Sequence, residues 1–262
     1  MRRCPSFFCV LILFPVSMLQ AETVPVRYPE GTVRGFLVLK ALEGNTLADG
    51  DLFQVVSGDR VTCQVVFHFR DGSVHDETAV FSQRDRFELV SDHLIQKGRS
   101  FPHPMESSID VRNSRVSIRY REDDGKDKTF EEQIALPEDV ANGLLFTLLK
   151  NVRRDASATT VSMLAATPKP RLVKLVISPV GGEVFSVGSA THKSIRYDVK
   201  VEGLVGLLAS IVGKKPPTTH VWVLEGEVPT FVKAEGPLYV GGPAWRIELA
   251  SPVWQQAAAR KR

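Results

Sequence analysis

Two histidines and a glutamate lie close enough in the sequence to suggest metal chemistry. His68 and His75 flank Asp71-Gly72, a dipeptide that favours a tight β-hairpin turn. A two-residue turn there pairs His68 with His75 across the hairpin and places Glu77 further along the same face. Imidazoles opposed in this way can share a zinc ion, but a solvated hairpin face gives the same pattern. Because the sequence contains no HExxH or CxxC motif, we predict no metal site.

Motifs of established enzyme classes are also missing from the sequence. It contains no GxSxG, no Walker loop, and no GxGxxG placed between a strand and a helix. Carboxylates are common, but sequence alone assigns no pair the separation that glycoside hydrolysis requires. We therefore predict a non-enzymatic protein without a cofactor. A hydrolase acting on envelope components through His68, His75 and Glu77 is kept as an alternative.

An apolar segment between two glycines is the main candidate for ligand binding. It reads GLVGLLASIVGKKPP over 203–217 and is too short to span a membrane. Two interpretations remain open: a flap with glycine hinges that contacts a lipid-like ligand, or a short buried helix that plugs one end of a sheet. The first interpretation predicts ligand contacts from Leu204, Leu207, Leu208 and Ile211.

A predicted helix supplies the remaining candidates. Pro137 suits the first turn of a helix. Apolar residues then recur at helical spacing over 137–152, with Leu144 and Leu148 on one face. We predict that this helix packs on a sheet and that Leu144, Leu148 and Trp222 contact the ligand. Core or edge packing is the alternative role for the tryptophan.

The N-terminus has the parts of a secretory signal peptide. Arg2-Arg3 precedes an apolar run over 7–19, and the small residue Ala21 follows. A membrane-spanning helix needs about 20 apolar residues, so this run is short for a span. We predict that residues 1–21 are removed and that 22–262 form one β-rich domain. That domain is expected to be exported and soluble, in the periplasm or outside the cell. An uncleaved N-terminal anchor is the alternative.

Cysteine usage excludes an intrachain disulfide in the predicted exported domain, and its charge argues against a nucleic-acid partner. Cys63 is the one cysteine outside the predicted signal peptide, so the exported domain forms no intrachain disulfide. On the apolar face of a strand it is expected to pack as a small hydrophobic residue. The formal net charge is +3, and Arg2-Arg3 contributes two of those charges. The domain is therefore nearly neutral, and we predict no nucleic-acid partner.

Most of the chain alternates apolar and polar residues between turn signals, which predicts β-strands. The segment 42–52 has the Gly, Asn and Asp content of a turn. The short polar connections predict an antiparallel meander. The predicted strands are 32–40, 52–58, the hairpin 61–81, 86–95, 107–111, 115–122, 129–136, 158–167, 171–180, 183–188, 191–202, 219–225, 230–236 and 244–250.

The closing segment THVWVLEGEVPTFVKAEGPLYVGG (219–242) carries a family resemblance. Together with the signal peptide, the meander and one helix, it resembles a family of exported bacterial domains of unknown function, matched at Trp222, Pro229 and Phe231. Those domains resemble the half-barrels of periplasmic lipoprotein carriers, in which a curved antiparallel sheet wraps a helical lid around an apolar cavity. The resemblance implies such a cavity under the 137–152 helix or the 203–213 segment. It implies no catalytic residues.

These observations predict a mostly β protein with a strongly curved, half-barrel-like antiparallel sheet and one or two helices on its concave face. The leading function is a non-enzymatic periplasmic binding or carrier role for a lipid-like or hydrophobic ligand. The first alternative is a cell-envelope scaffold with a filled core that meets an envelope protein. An open apolar cavity would favour the carrier, and a packed interior would favour the scaffold.

Overall fold

The alternating segments form fourteen strands and one helix in the computed structural model, which describes residues 23–122, 125–187, 190–203 and 216–250. The elements are β1 Val33–Ala41, β2 Thr46–Ser57, β3 Arg60–Phe69, β4 Val74–Gln83, β5 Phe87–Lys97, β6 Met105–Asp110, β7 Arg115–Arg121, β8 Asp127–Gln133, α1 Leu145–Asn151, β9 Thr159–Ala165, β10 Arg171–Val187, β11 Ala190–Glu202, β12 Thr219–Leu224, β13 Thr230–Gly236 and β14 Trp245–Ala250.

All of the strands belong to one antiparallel sheet. Strands β1 to β8 form one meander and β9 to β14 form a second. The first strand of one meander pairs with the last strand of the other, with Leu37 opposite Leu249 and Leu39 opposite Ile247. Strands β8 and β9 end the strand order at opposite sides, so the sheet is not closed. The predicted fold class, a mostly β protein built on one antiparallel sheet, is confirmed.

The chain between β8 and β9 covers the open edge of β9. The amide of Ala141 donates to the carbonyl of Ser162, and the amide of Ser162 donates to the carbonyl of Asp139. The Asn142 side chain then pairs with both backbone groups of Leu164, at 2.8 and 2.9 Å. The edge strand therefore has partners for several of the backbone groups that an open edge leaves unpaired.

The core lies on one face of the curved sheet. Inward side chains of both meanders, such as Phe67, Phe81, Ile118 and Ile177, belong to one buried cluster and are fully or almost fully inaccessible. Because these residues come from distant strands in the sheet order, the sheet must curve until its two halves face each other. The architecture is thus barrel-like.

Helix α1 packs inside this curve. Leu148 and Leu149 belong to the core cluster, and the ring of Phe146 lies 4.5 Å from that of Phe231 on β13. The Asn151 side chain accepts hydrogen bonds from the backbone amides of Arg27 and Tyr28, both at 2.8 Å. The segment that precedes β1 therefore fixes the end of the helix.

The predicted helix over 137–152 is too long by about two turns at its start. Residues 139–141 pair with Ser162 of β9 instead of turning into a helix. Gly143 has φ +67, a left-handed conformation that no α-helix interior accommodates. The helix consequently begins at Leu145. Pro137 lies outside it.

The predicted hairpin register is wrong by one residue. The amide of Phe69 donates to the carbonyl of Ser73, so the loop contains three residues, with Gly72 at φ +84. His75 therefore pairs with Phe67, and His68 pairs with Val74. A shift of one residue moves a side chain to the other face of the sheet, and His68 and His75 consequently point in opposite directions.

Two further boundaries differ from the prediction. Residues 46–52, whose composition indicates a turn, belong to β2. The two predicted strands over 171–188 are one strand, β10, which continues through a register shift between Pro179 and Gly181. In both places the backbone pairs with a neighbouring strand, and local composition does not indicate this pairing.

Candidate ligand-binding cavity

A partly open cavity of about 600 Å³ lies between the two halves of the sheet. Its walls come mainly from β9 to β14 and from the chain around the start of α1. The opposite side is contributed by β4, β5 and β6. Apolar lining residues include Leu94, Met105, Leu145, Phe146, Met163, Leu175, Val199, Val201, Trp245 and Ile247. The cavity is therefore mainly apolar and has the size of sites that hold small organic molecules.

An aromatic cluster forms part of the cavity wall. The rings of Tyr239 and Trp245 both line the cavity, with centroids 6.0 Å apart. Phe101 packs edge-on against both rings, at 5.6 and 6.4 Å. Phe69 contacts Phe101 and Trp245 from the core side. Burial raises the pKa of Tyr239.

A polar group adjoins these rings. His75 is 4% exposed, and its ring lies 6.4 Å from that of Phe101. Its Nδ1 lies 3.1 Å from Nε2 of Gln96, which also donates to the carbonyl of Leu238 at 2.8 Å. Burial lowers the pKa of His75 to about 4, so the imidazole is neutral at physiological pH.

Glu77 is the acid on the cavity surface. It follows His75 on the inner face of β4, and its Oε2 lies 4.0 Å from Nε2 of His75. The Glu77 side chain retains 30% of its accessible surface, and this surface faces the cavity that the residue lines. Burial raises the pKa of Glu77 to about 7, because the carboxylate loses the bulk water that would stabilise its charge.

Asp92 is a second interior acid, on β5 next to β4. It is 3% exposed, and its Oδ1 is buried without a hydrogen-bond partner among the described residues. Burial and the neighbouring Glu77 both raise the pKa of Asp92, because two buried carboxylates cannot ionise together at low cost. The interior therefore holds an acid pair whose charge is poorly compensated.

The cavity lining contains none of the described residues that the sequence predicts to contact the ligand. Leu144 and Leu148 are buried in the core cluster, at 1% and 3% exposure, and their neighbours Leu145 and Phe146 line the cavity instead. Trp222 lies on the outer face of β12. There its Nε1 donates to Glu183 at 2.6 Å, and the ammonium of Lys233 lies 3.8 Å from the ring centroid. The predicted contacts Leu204, Leu207, Leu208 and Ile211 lie outside the described residues.

Sequence reasoning missed the residues that build the polar end of the cavity. Asp92 is an unremarkable polar position in the predicted strand 86–95, and Gln96 follows directly after that strand. The available signal was the inward alternation of His75, Glu77 and Ala79, which puts polar side chains on a face that is otherwise apolar. The one-residue error in the hairpin register did not hide that alternation, but it suggested a solvated face.

The described residues contain no group of three or more His, Cys, Asp or Glu side chains that could hold a metal ion. In the same part of the chain, no helix is long and apolar enough to cross a membrane. Cys63 lies against the core, and burial raises the pKa of its thiol to about 12.

The fold and the cavity define a barrel-like β protein with a mostly apolar internal cavity and an acid on its surface. No protein-family model matches the chain, and no curated protein matches it. A crystal structure of a beta-barrel-like protein of domain of unknown function DUF1849 from Brucella abortus is similar to it, with 8% sequence identity and a TM-score of 0.47. The match covers 90% of this chain and 100% of that one.

Proposed function

We propose that this protein is a non-enzymatic binding or carrier protein for a hydrophobic, lipid-like ligand held in the internal cavity. The cavity of about 600 Å³ is the observation that supports the proposal. Sites for small organic ligands have volumes of roughly 300–1,000 Å³ and are lined mainly by apolar and aromatic side chains. An interior packed throughout would have favoured the scaffold alternative instead.

The hydrolase alternative receives less support. It needed His68, His75 and Glu77 on one face, and His68 is exposed on the opposite side of the sheet from the other two. The remaining imidazole, His75, is buried and hydrogen-bonded to Gln96. We also propose, from the predicted signal peptide alone, that binding takes place outside the cytoplasm.

The test begins with native mass spectrometry of the protein isolated from the periplasm, followed by organic extraction of any bound molecule. A stoichiometric apolar species released on denaturation would support the proposal. A protein that is bare, and stays bare after incubation with envelope lipids, would contradict it.

A cavity-filling variant makes the test specific to this site. Val201 lines the cavity, and Val201→Trp should reduce the bound fraction at least tenfold while the protein remains folded. Val55→Trp is the matched control, because Val55 is 59% exposed on β2. If Val201→Trp does not fold, Ala166→Trp fills the cavity from the end of β9. Unchanged ligand retention in a folded cavity-filling variant would place binding elsewhere.

A further inference from the structure

The charge on the cavity surface constrains the chemistry of the ligand. Among the described residues that line the cavity, Glu77 and Tyr239 have ionisable side chains, and none is a lysine, arginine or histidine. The charge that this lining can develop is therefore negative. A carboxylate or phosphate head group would meet repulsion from Glu77, whereas a cation would be attracted.

Asp92, the buried acid next to Glu77, also favours a cationic ligand. A Cβ atom built on Gly143 would lie 3.0 Å from Oδ1 of Asp92 and 3.7 Å from Oε1 of Glu77, so the two carboxylate oxygens approach one point. Oδ1 of Asp92 has no hydrogen-bond donor among the described residues. Two neighbouring buried carboxyl groups are stabilised either by a retained proton or by a cation that enters from the cavity.

The aromatic cluster supplies a second, independent feature. Tyr239 and Trp245 line the same cavity as Glu77. His75, next to Glu77, lies 6.4 Å from Phe101, whose ring packs against both of these rings. Organic ammonium groups are stabilised over the faces of tryptophan and tyrosine rings. A carboxylate together with these rings is a composition that recognises an organic cation on an apolar body.

We propose that the ligand of this cavity carries an organic ammonium group, which Glu77 binds while the apolar part packs against β9 to β14. This inference rests on the proposed function, since it concerns the same cavity. Asp92 does not line the cavity and acts as a positioning residue: a cation bound at Glu77 offsets the cost of ionising this acid pair.

The groups around Glu77 set the pH dependence of amine binding. They are His75 on its own strand, Asp92 on β5 and Cys63 on β3, while residues 142–143 bring no charge. Between pH 6 and 8 the imidazole of His75 is neutral and the thiol of Cys63 is protonated, because their pKa values are about 4 and about 12. The acid pair therefore controls binding, which should strengthen as pH rises through the pKa of Glu77, about 7.

The experiment compares three probes with one chain length: dodecylamine, dodecanol and dodecanoate, each below its aggregation concentration. Isothermal titration calorimetry at pH 8 measures their affinities for the wild type, Glu77→Gln and Glu131→Gln. Glu131 is an exposed glutamate on β8, so its variant makes the same charge change away from the cavity. Asp92→Asn is the second interior variant if Glu77→Gln does not fold.

We expect wild type to bind dodecylamine at least about tenfold more tightly than dodecanol, and dodecanoate most weakly. Glu77→Gln should remove that preference while its affinity for dodecanol stays within about threefold. Glu131→Gln should behave like wild type. Lowering the pH from 8 to 6 should weaken amine binding and leave alcohol binding unchanged.

The results distinguish failure of the ammonium inference from failure of the proposed function. If dodecanol binds as well as dodecylamine, or dodecanoate binds best, the ammonium inference is overturned and the binding function stands. If none of the three probes binds and the protein isolated from the periplasm is also bare, the proposed function itself fails.

Discussion

Replacing Gly143 with alanine tests how the segment before α1 packs on the acid pair. Gly143 has φ +67, and a Cβ atom there would lie 2.6 Å from Cβ of Ala79 and 3.0 Å from Oδ1 of Asp92. A separation of 2.6 Å between two carbon atoms is far below van der Waals contact, about 3.5 Å or more. Ala79 is 2% exposed and has little room to move.

The expected loss of unfolding free energy in Gly143→Ala has two parts. A non-glycine residue in the left-handed region loses about 1–2 kcal/mol. Forcing an additional methyl group into a packed interior costs about 1–3 kcal/mol more. Gly143→Ala should therefore lower the free energy of unfolding by about 2–5 kcal/mol.

Gly58→Ala is the matched control. Gly58 has φ +62, and a Cβ atom there would have no heavy atom within 4 Å. This variant bears the backbone cost alone, about 1–2 kcal/mol. The difference in unfolding free energy between the two variants measures the cost of the contact with β4 and β5.

Urea unfolding followed by circular dichroism, with equal m-values, measures both variants. Adding Ala79→Gly to Gly143→Ala should recover about 1–3 kcal/mol of the loss, as a double-mutant cycle with Ala79→Gly alone would show. Equal destabilisation by Gly143→Ala and Gly58→Ala, with no recovery in the double variant, would refute this packing.

Two further predictions concern the polar end of the cavity and the edge of β9. Glu77→Gln should match the wild-type unfolding free energy near pH 4 and exceed it by roughly 3 kcal/mol above pH 7. Burial raises the pKa of Glu77 from 4.5 to about 7, so stability contributed by its protonated form is present below pH 4.5 and lost as pH rises through about 7. Urea unfolding across this range checks it, and parallel curves for the two proteins would contradict it. Asn142→Ala should lower the unfolding free energy by roughly 1–3 kcal/mol, since it removes both hydrogen bonds to Leu164, whereas the exposed Asn113→Ala should change it by about 0.5 kcal/mol or less.

The β architecture follows directly from local pattern. Period-two alternation in segments such as 191–202 is sufficient to specify a strand with one buried face, and β11 occupies residues 190–202. Short polar connections imply antiparallel neighbours, and consecutive strands within each meander do pair in this way. The prediction that Cys63 packs as an apolar residue rests on the same alternation, and the residue lies against the core.

Where prediction failed, a long-range contact or a loop conformation overrode local preference. Pro137 and the apolar spacing favoured a helix over 137–152, but pairing of residues 139–141 with Ser162 satisfies the edge of β9. Asp71-Gly72 favoured a two-residue turn, and the observed three-residue loop places His75 on the inner face while His68 stays on the outer one. The first of these competitions depends on a partner about 20 residues away in the sequence, which a local window does not contain.

Local pattern is enough to indicate a mostly β protein built from antiparallel strands, because side-chain alternation and turn residues act over a few positions. Which inward side chains meet depends on the packing of the whole sheet. Glu77, Asp92, Trp245 and Tyr239 come from three strands and a loop, and the curvature of the sheet brings them to one side of the interior. Curvature arises from the summed twist and packing of fourteen strands, and no short segment encodes it.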